Sequence, residues 1–121
     1  MTKPILGMDF DGVIHSYTSG WQGAHVVADR PVPGAFNFLR EAVKEFQVEI
    51  YSGRSHQPGG IEAMKQWVAF WNKGDPRGAI PELVWATEKP LARVALDDRV
   101  LTFKGTWPSV DSLMAFKPWY K

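Results

Sequence analysis

The chain has 121 residues and no cysteine, and its 14 Lys and Arg residues nearly balance its 13 Asp and Glu residues. This length predicts a single domain over residues 1–121, and the composition excludes disulfides, thiolate metal sites and nucleic-acid binding through bulk basic charge. No apolar run approaches the roughly 20 residues of a membrane helix, and the first residues do not resemble a signal peptide, so we expect a cytoplasmic protein without a membrane partner.

The first third of the chain predicts a strand, a flap and a helix. Ile5–Met8 is a short apolar run that does not alternate with polar residues, which is typical of a strand buried on both faces. Residues 12–32 hold glycines and prolines around short apolar stretches and predict a small hairpin or flap. A helix is expected from Pro33, because apolar residues recur from there at helical spacing up to Phe46.

The rest of the chain predicts further strands and helices. Two similar apolar runs, at residues 48–51 and at Val94–Leu96, predict strands that are also buried on both faces, and residues 83–86 are a weaker candidate for a strand. From Ile61 to Trp71, apolar residues repeat every three or four positions and predict a crossover helix. Residues 108–116 predict a short closing helix. The predicted order is strand, helix, strand, helix, strand, strand, helix.

This alternation of strands and helices predicts an α/β fold, a three-layer α/β/α sandwich around a mainly parallel, Rossmann-like sheet. Ligands of such sheets bind where the carboxyl ends of the strands meet the loops. The rule directs attention to Asp9, Ser52 and Asp97, because each of them follows a predicted strand.

Four of the seven aspartates form two pairs, each at the end of a predicted strand. Asp9 and Asp11 stand in MDFDG, and Asp97 and Asp98 stand in ALDDR. Carboxylates grouped at the ends of buried strands repel one another unless a hard cation with oxygen ligands binds them. Mg²⁺ is therefore the expected cofactor.

Two further segments carry phosphate-binding chemistry. Ser52 lies in YSGRS, followed by Gly53 and Arg54, and Lys89 lies in TEKP before the last strand. Without a metal, the four carboxylates outweigh the charge of Lys89 and would repel a phosphate dianion. We therefore expect binding of a phosphorylated substrate to depend on Mg²⁺.

These residues, in this order, resemble the motifs of the haloacid dehalogenase-like (HAD) phosphohydrolases. The first motif of that family, an apolar strand followed by DxDG, is similar to ILGMDFDGV, and its serine or threonine after a second strand is similar to Ser52 in VEIYS. Its lysine is similar to Lys89, and its acidic pair after a later strand is similar to VALDD. The resemblance covers residues 5–98.

The resemblance implies a Mg²⁺-dependent phosphatase, a phosphomonoester hydrolase in which Asp9 attacks phosphorus and forms an aspartyl-phosphate. Asp9 would also bind the metal. Asp11 would protonate the leaving alcohol, deprotonate the hydrolytic water and bind the metal through its backbone carbonyl.

The other matched residues would bind phosphate or metal. Ser52 and the amide of Gly53 would hold phosphate oxygens, and Lys89 would neutralise charge on Asp9 and the phosphoryl group. Asp98 would bind the metal directly and Asp97 would support it without touching the metal, or the two roles are exchanged.

HAD members often carry a cap domain, and neither gap between the motifs of this chain has room for one. For an open site of this kind, a nucleic-acid end or a nucleotide is the preferred substrate class, before a sugar phosphate or a phosphoprotein. The sequence leaves open whether the chain forms an oligomer. Arg54 is expected to bind substrate at this mouth. The other residues expected there are His15, Tyr17, Trp21 and His56.

An alternative function is a non-catalytic module that binds a phospholigand and metal on the same scaffold. Taken singly, the matched residues also have ordinary structural interpretations. Ser52 alone would be a turn residue and Lys89 a solvated surface charge. Trp67 and Trp71, four residues apart, are expected in the core or an interface rather than against a substrate.

Overall fold

The computed structural model describes residues 2–121. Its strands are Ile5–Met8 (β1), Gln47–Ile50 (β2), Val84–Trp85 (β3) and Val94–Leu96 (β4), and its helices are Ala35–Glu45 (α1), Gly60–Trp71 (α2) and Val110–Met114 (α3). The order of strands and helices is the predicted one. A 3₁₀ turn at Gly53–His56, between β2 and α2, was not predicted. None of the helices described in residues 2–121 is long and apolar enough to cross a membrane.

The four strands form one sheet in the order β3-β2-β1-β4, and all neighbouring strands are parallel. The α/β class and the parallel sheet are therefore confirmed, and they are compatible with a Rossmann-like fold. Met8 lies opposite Ile50 on one side and opposite Leu96 on the other. Because the strands run in one direction, β1, β2 and β4 all end at the same edge of the sheet.

The two longer helices form where the apolar spacing predicts them. Helix α1 buries Leu39, Ala42 and Val43, which lie three and four residues apart and so share one face. It begins at Ala35, two residues after the predicted Pro33, and ends at Glu45, one residue before the predicted Phe46, whose backbone is already extended and leads into β2. Helix α2 follows the left-handed Gly59 and buries Met64 and Val68 on one face.

A single hydrophobic cluster holds the sheet and the two helices together. Phe10, Ile14, Leu39, Ile50 and Met64 are all completely buried in it. Burial of an apolar side chain of this size contributes about 1.5–3 kcal/mol, so this cluster is the main source of stability.

Strand β4 is not covered as the sequence predicts. Val94 is 50% exposed and Leu96 is 41% exposed, so the expectation of a strand buried on both faces is wrong for β4. The reason is the position of β4 at the edge of the sheet, beyond the helices that cover β1 and β2. Among the described residues, none after Leu83 is fully buried.

The segment between β1 and α1 is a flap rather than a hairpin. Its only strand-like pairings, among the described residues, are isolated bridges that join His15 to Asp11 and to Pro31. Side chains from later elements of the domain hold it instead. Arg54 donates to the carbonyl oxygens of Gly23, Ala24 and Val26, and Trp67 donates to that of Asp29 at 2.7 Å.

Candidate functional site

The carboxyl edge of the sheet brings together three of the predicted site residues. The amide of Asp9 donates to the carbonyl of Leu96 at 3.0 Å, and the amide of Tyr51 donates to that of Met8 at 3.0 Å. Asp9 therefore lies between the end of β4, where Asp97 follows, and the end of β2, where Ser52 follows. This is the arrangement that a parallel sheet imposes on residues directly after its strands.

Three carboxylates meet at this edge. One carboxylate oxygen each from Asp9, Asp97 and Asp98 lie within 4.8 Å of one another. The side chain of Asp98 is only 2% exposed, whereas Asp97 is exposed and accepts a hydrogen bond from the amide of Arg99 at 3.0 Å. The three oxygens are close enough to share one cation.

Without a cation, the carboxylates share a proton. Burial raises the pKa of Asp9 to about 9, together with its hydrogen bond to Asp98 and the negative charge of Asp97. Burial also opposes ionisation of Asp98, but its hydrogen bonds with Asp9 and Tyr120 outweigh this effect and lower the pKa of Asp98. At neutral pH the proton therefore resides on Asp9 rather than on Asp98.

The donor set fits a hard divalent cation. All three ligands are carboxylate oxygens, which suit Mg²⁺ better than a transition metal that prefers imidazole or thiolate. A divalent ion would replace the shared proton and cancel the repulsion that raises the pKa of Asp9. The carboxylate of Asp11 lies outside this cluster, and its predicted metal contact, through the backbone carbonyl, stays a prediction.

The carboxylate of Asp11 is held by two side chains of the domain. Its Oδ2 accepts a hydrogen bond from Arg54 Nε at 2.9 Å, and its Oδ1 lies 2.8 Å from His15 Nδ1. The amide of Asp29 donates to His15 Nε2 at 3.0 Å, so Nε2 carries no proton. His15 therefore carries its proton on Nδ1 and donates it to Asp11.

Arg54 does not lie at an open mouth as predicted, because its side chain is 0% exposed. Its Nε binds Asp11, and its Nη1 donates to three backbone carbonyls of the flap. Trp21 covers the guanidinium with its ring centre 5.0 Å away. Nη2 has no hydrogen-bond partner among the described residues, but it is itself buried, so a ligand reaches it only if the flap moves away.

Ser52 is a buried turn residue at the start of the 3₁₀ turn. Its Oγ accepts a hydrogen bond from the amide of Arg54 at 3.2 Å, while its own amide donates to Ser55 Oγ at 3.1 Å. This reciprocal cap fixes the backbone immediately after β2. Gly53 follows as the first residue of the turn.

Lys89 is not brought to the carboxylates. It lies exposed in the connection between β3 and β4 and forms no hydrogen bond or ion pair with any residue in the range 2–121. Its predicted contact with Asp9 is therefore absent from this conformation of the connection.

The remaining predicted mouth residues have mixed positions. His15 is buried, contrary to the prediction, whereas Trp21 is half-exposed. Tyr17 packs edge-on against Tyr120 with ring centres 5.9 Å apart. His56 is exposed and lies 2.9 Å from the hydroxyl of Tyr51.

The tryptophan prediction is confirmed for Trp67, and for Trp71 its alternative of an interface stays a prediction. Trp67 is buried and packs edge-on against Phe10 and His15, so it belongs to the core as expected. Trp71 is 43% exposed and lies outside the core.

Residues far along the chain complete the site, and the sequence analysis missed them. The hydroxyl of Tyr120 donates to Asp98 Oδ2 at 2.8 Å, and Trp119 Nε1 donates to the carbonyl of Gly12 at 2.7 Å. Arg99 Nη2 donates to the hydroxyl of Tyr120 at 3.1 Å. The only available signal was the aromatic and basic character of KPWYK, which does not indicate where that segment lies.

Gly12 allows this close approach. Its φ of 82° is in the left-handed region, and a Cβ at this position would collide with the carboxylate of Asp98 and the ring of Tyr120. The glycine of the DxDG sequence is thus required by the packing of residues 98 and 120 against it.

Comparisons of the chain with models of protein families, with curated proteins and with solved structures find no match. Its function is therefore inferred from the site residues and from the resemblance of their order to the HAD motifs.

Proposed function

We propose that this chain is a Mg²⁺-dependent phosphomonoester hydrolase of the HAD type, which acts through an aspartyl-phosphate on Asp9. The observation that carries the proposal is the group of three carboxylates, Asp9, Asp97 and Asp98, within 4.8 Å at the carboxyl edge of a parallel sheet. The cluster lies at the edge where such sheets bind ligands, and Ser52 follows β2 at the same edge. In the sequence, the DxDG aspartates, Ser52 and the pair Asp97 and Asp98 follow one another in the order of the HAD motifs.

The proposed architecture is a three-layer α/β/α sandwich without a cap domain. The four parallel strands and the two longer helices that alternate with them support it. The flap is the largest segment near the site, and its tie to Arg54 keeps it against the domain.

Asp9 and Asp98 would hold the metal, with Asp97 as a third ligand or behind them. When bound, Mg²⁺ would supply positive charge that neutralises the carboxylates and the phosphate oxygens. By replacing the proton on Asp9, the metal would leave this carboxylate ionised, and the Asp9 oxygen that does not hold the metal would be the nucleophile.

In the first step, an Asp9 carboxylate oxygen forms a bond to phosphorus and the bond from phosphorus to the ester oxygen breaks. The leaving alkoxide takes a proton from Asp11 and departs as an alcohol. In the structure Asp11 is the carboxylate partner of Arg54, so it must take up this proton before the first step. Each of its oxygens accepts one hydrogen bond and keeps a second lone pair that can hold the proton.

In the second step, Asp11 takes a proton from a water molecule whose oxygen attacks phosphorus. The bond between phosphorus and Asp9 breaks, inorganic phosphate leaves, and both carboxyl groups return to their starting forms. His15 and Arg54 would orient Asp11 in both steps, because they bind its two oxygens from fixed positions.

Ser52 and Gly53 would bind phosphate oxygens beside Asp9. Lys89 would neutralise charge on the phosphoryl group, which requires the connection before β4 to move toward the site. Nη2 of Arg54 would add a contact only if the flap moves away. Among substrates we favour a nucleotide or a phosphorylated nucleic-acid end, because half-exposed Trp21 beside the site can stack on a base.

The test is phosphate release from p-nitrophenyl phosphate, mononucleotides, sugar phosphates and oligonucleotides phosphorylated at the 3′ or 5′ end. Each is assayed with Mg²⁺ and with EDTA, for the parent protein, Asp9→Asn and Asp111→Asn. Asp111 is an exposed aspartate of α3 and serves as the matched control. We expect release that requires Mg²⁺ and Asp9 and that survives Asp111→Asn, whereas release that persists in Asp9→Asn would refute the covalent mechanism.

The alternative, a non-catalytic phospholigand-binding module, is favoured by one observation, the exposed and unpaired position of Lys89. Calorimetry distinguishes the two functions. Mg²⁺-dependent binding of a phospholigand without phosphate release over hours would identify the module, and turnover would exclude it.

A further inference from the structure

The part of the chain after β3 exposes an unusual amount of apolar surface. Of the 17 exposed large apolar side chains in residues 2–121, eleven lie between Leu91 and Phe116; we call these eleven side chains the 91–116 surface. Leu91 is 95% exposed, Trp107 86% and Met114 82%. None of the residues in this range belongs to the hydrophobic core.

The total surface area is too large for a well-packed monomer. The solvent-accessible area is 8177 Å², whereas a folded monomer of 13.6 kDa exposes about 6,600 Å². The excess of about 1,600 Å² per chain is twice the roughly 800 Å² that each partner buries in a standard interface, and it falls in the range of obligate homodimers.

The sheet contributes an unpaired edge to this surface. Strand β4 pairs with β1 on one side only, and Val94 and Leu96 are exposed along it. An apolar edge strand with free backbone groups is a site for pairing with another strand. From Asp97 to Pro108, the backbone amides of the described chain donate to no other backbone carbonyl, so this segment has further groups to pair.

The same surface has both a groove and projecting side chains. A groove of about 660 Å³ runs between Leu101, Val110 and Leu113. Phe103 and Trp107 pack at its wall with their rings tilted by 46° and the ring centres 4.6 Å apart. A surface that offers both shapes can pack against a rotated copy of itself.

The charge of the surface also favours a like partner. The exposed charged residues in 91–116 are three basic ones, Arg93, Arg99 and Lys104, and two acidic ones, Asp97 and Asp111, because the side chain of Asp98 is only 2% exposed. Two copies therefore meet with little net repulsion, and the surface lacks the large excess of one sign that recognises a nucleic acid or an acidic peptide.

We infer that a second copy of this chain covers the 91–116 surface and forms a two-fold symmetric dimer. In such an interface each copy presents the same patch, so the β4 edge and the groove of one protomer face those of its partner. The inference does not depend on the proposed phosphatase activity, because it is tested by mass rather than by turnover.

Sedimentation equilibrium from about 0.1 to 100 μM tests the dimer directly. We expect a species of twice the 13.6 kDa chain mass. Trp107→Glu and Leu101→Glu place a charge in the interface and should raise the dissociation constant by at least about 30-fold. Both residues are exposed in the single chain, so the variants should keep the fold, which circular dichroism checks.

Phe70→Glu is the matched control. Phe70 is 65% exposed on α2, outside the 91–116 surface, and its replacement should leave the dimer intact. A parent protein that stays monomeric over the whole range would overturn the inference, as would open-ended assembly or equal dissociation by Phe70→Glu. Hydrogen exchange completes the test, because amides of residues 91–116 protected in a monomer would mean that the segment is covered by its own chain.

Discussion

Arg54 is the residue whose replacement tests this structure most directly. Its buried guanidinium neutralises Asp11 and binds three carbonyl oxygens of the flap. Arg54→Met keeps much of the side-chain volume and removes all of these contacts at once. The Asp11 carboxylate is then left buried beside the core with His15 as its remaining donor.

The expected cost follows from burial. Removal of one partner of a buried, hydrogen-bonded ion pair destabilises a protein by about 3–5 kcal/mol, because the other charge stays desolvated. Total stabilities are about 5–15 kcal/mol. At about 3–5 °C of melting temperature per kcal/mol for a domain of this size, Arg54→Met should melt about 10–25 °C below the parent protein.

Thermal and urea denaturation of the variant, without Mg²⁺, measure this loss. The matched control is Arg77→Met, which breaks an ion pair of 2.7 Å between the half-exposed Arg77 and Asp75. Because water screens that pair, the Arg77 variant should melt close to the parent protein. A second variant, Arg54→Met with Asp11→Asn, should recover part of the loss, since no carboxylate is then left without its partner.

Equal melting temperatures for Arg54→Met and the parent protein would refute the reasoning. They would mean that Arg54 is exposed in solution, as the sequence analysis expects, rather than holding the flap. Limited proteolysis adds a local readout, because cleavage within residues 12–32 should accelerate in Arg54→Met and stay unchanged in Arg77→Met.

The remaining predictions concern the carboxylate cluster and its neighbours. Because the pKa of Asp9 is raised to about 9, Mg²⁺ binding at pH 7 should release about one proton. Calorimetry in buffers of different ionisation enthalpy measures this release, and binding heats that do not depend on the buffer would contradict a proton on Asp9. The raised pKa of Asp9 also makes the stability of the metal-free protein depend on pH: the contribution of protonated Asp9 is complete below about pH 4 and is lost as the pH rises toward 9. Stabilisation by Mg²⁺ should therefore be larger at pH 8 than at pH 5. Tyr120→Phe removes the donor to Asp98 and should weaken Mg²⁺ binding about 10-fold, while Tyr51→Phe should not. Lys89→Met should leave the melting temperature unchanged and lower kcat about 100-fold; an unchanged kcat would assign Lys89 to the surface alone.

The sequence by itself was sufficient to predict the strands and helices and the meeting of Asp9 with Asp97 and Asp98. Strand and helix positions follow from local spacing of apolar residues, and β1 and β4 begin and end where the pattern predicts. Asp9 and Asp97 meet because residues directly after parallel strands share one edge, so the position of each in the sequence was enough to bring them together. The resemblance to the HAD motifs then gave these residues a chemical role.

The tertiary structure decided what lies between and around those elements. Arg54 binds Asp11 across 43 positions of the chain, and Trp119 reaches Gly12 across 107. Local periodicity carries no information about such contacts, since they depend on how segments that are distant in the chain pack against one another. The same limit applies to β4, whose composition predicts a buried strand. Its place at the edge of the sheet exposes it instead, and only the packing of the whole chain sets that place.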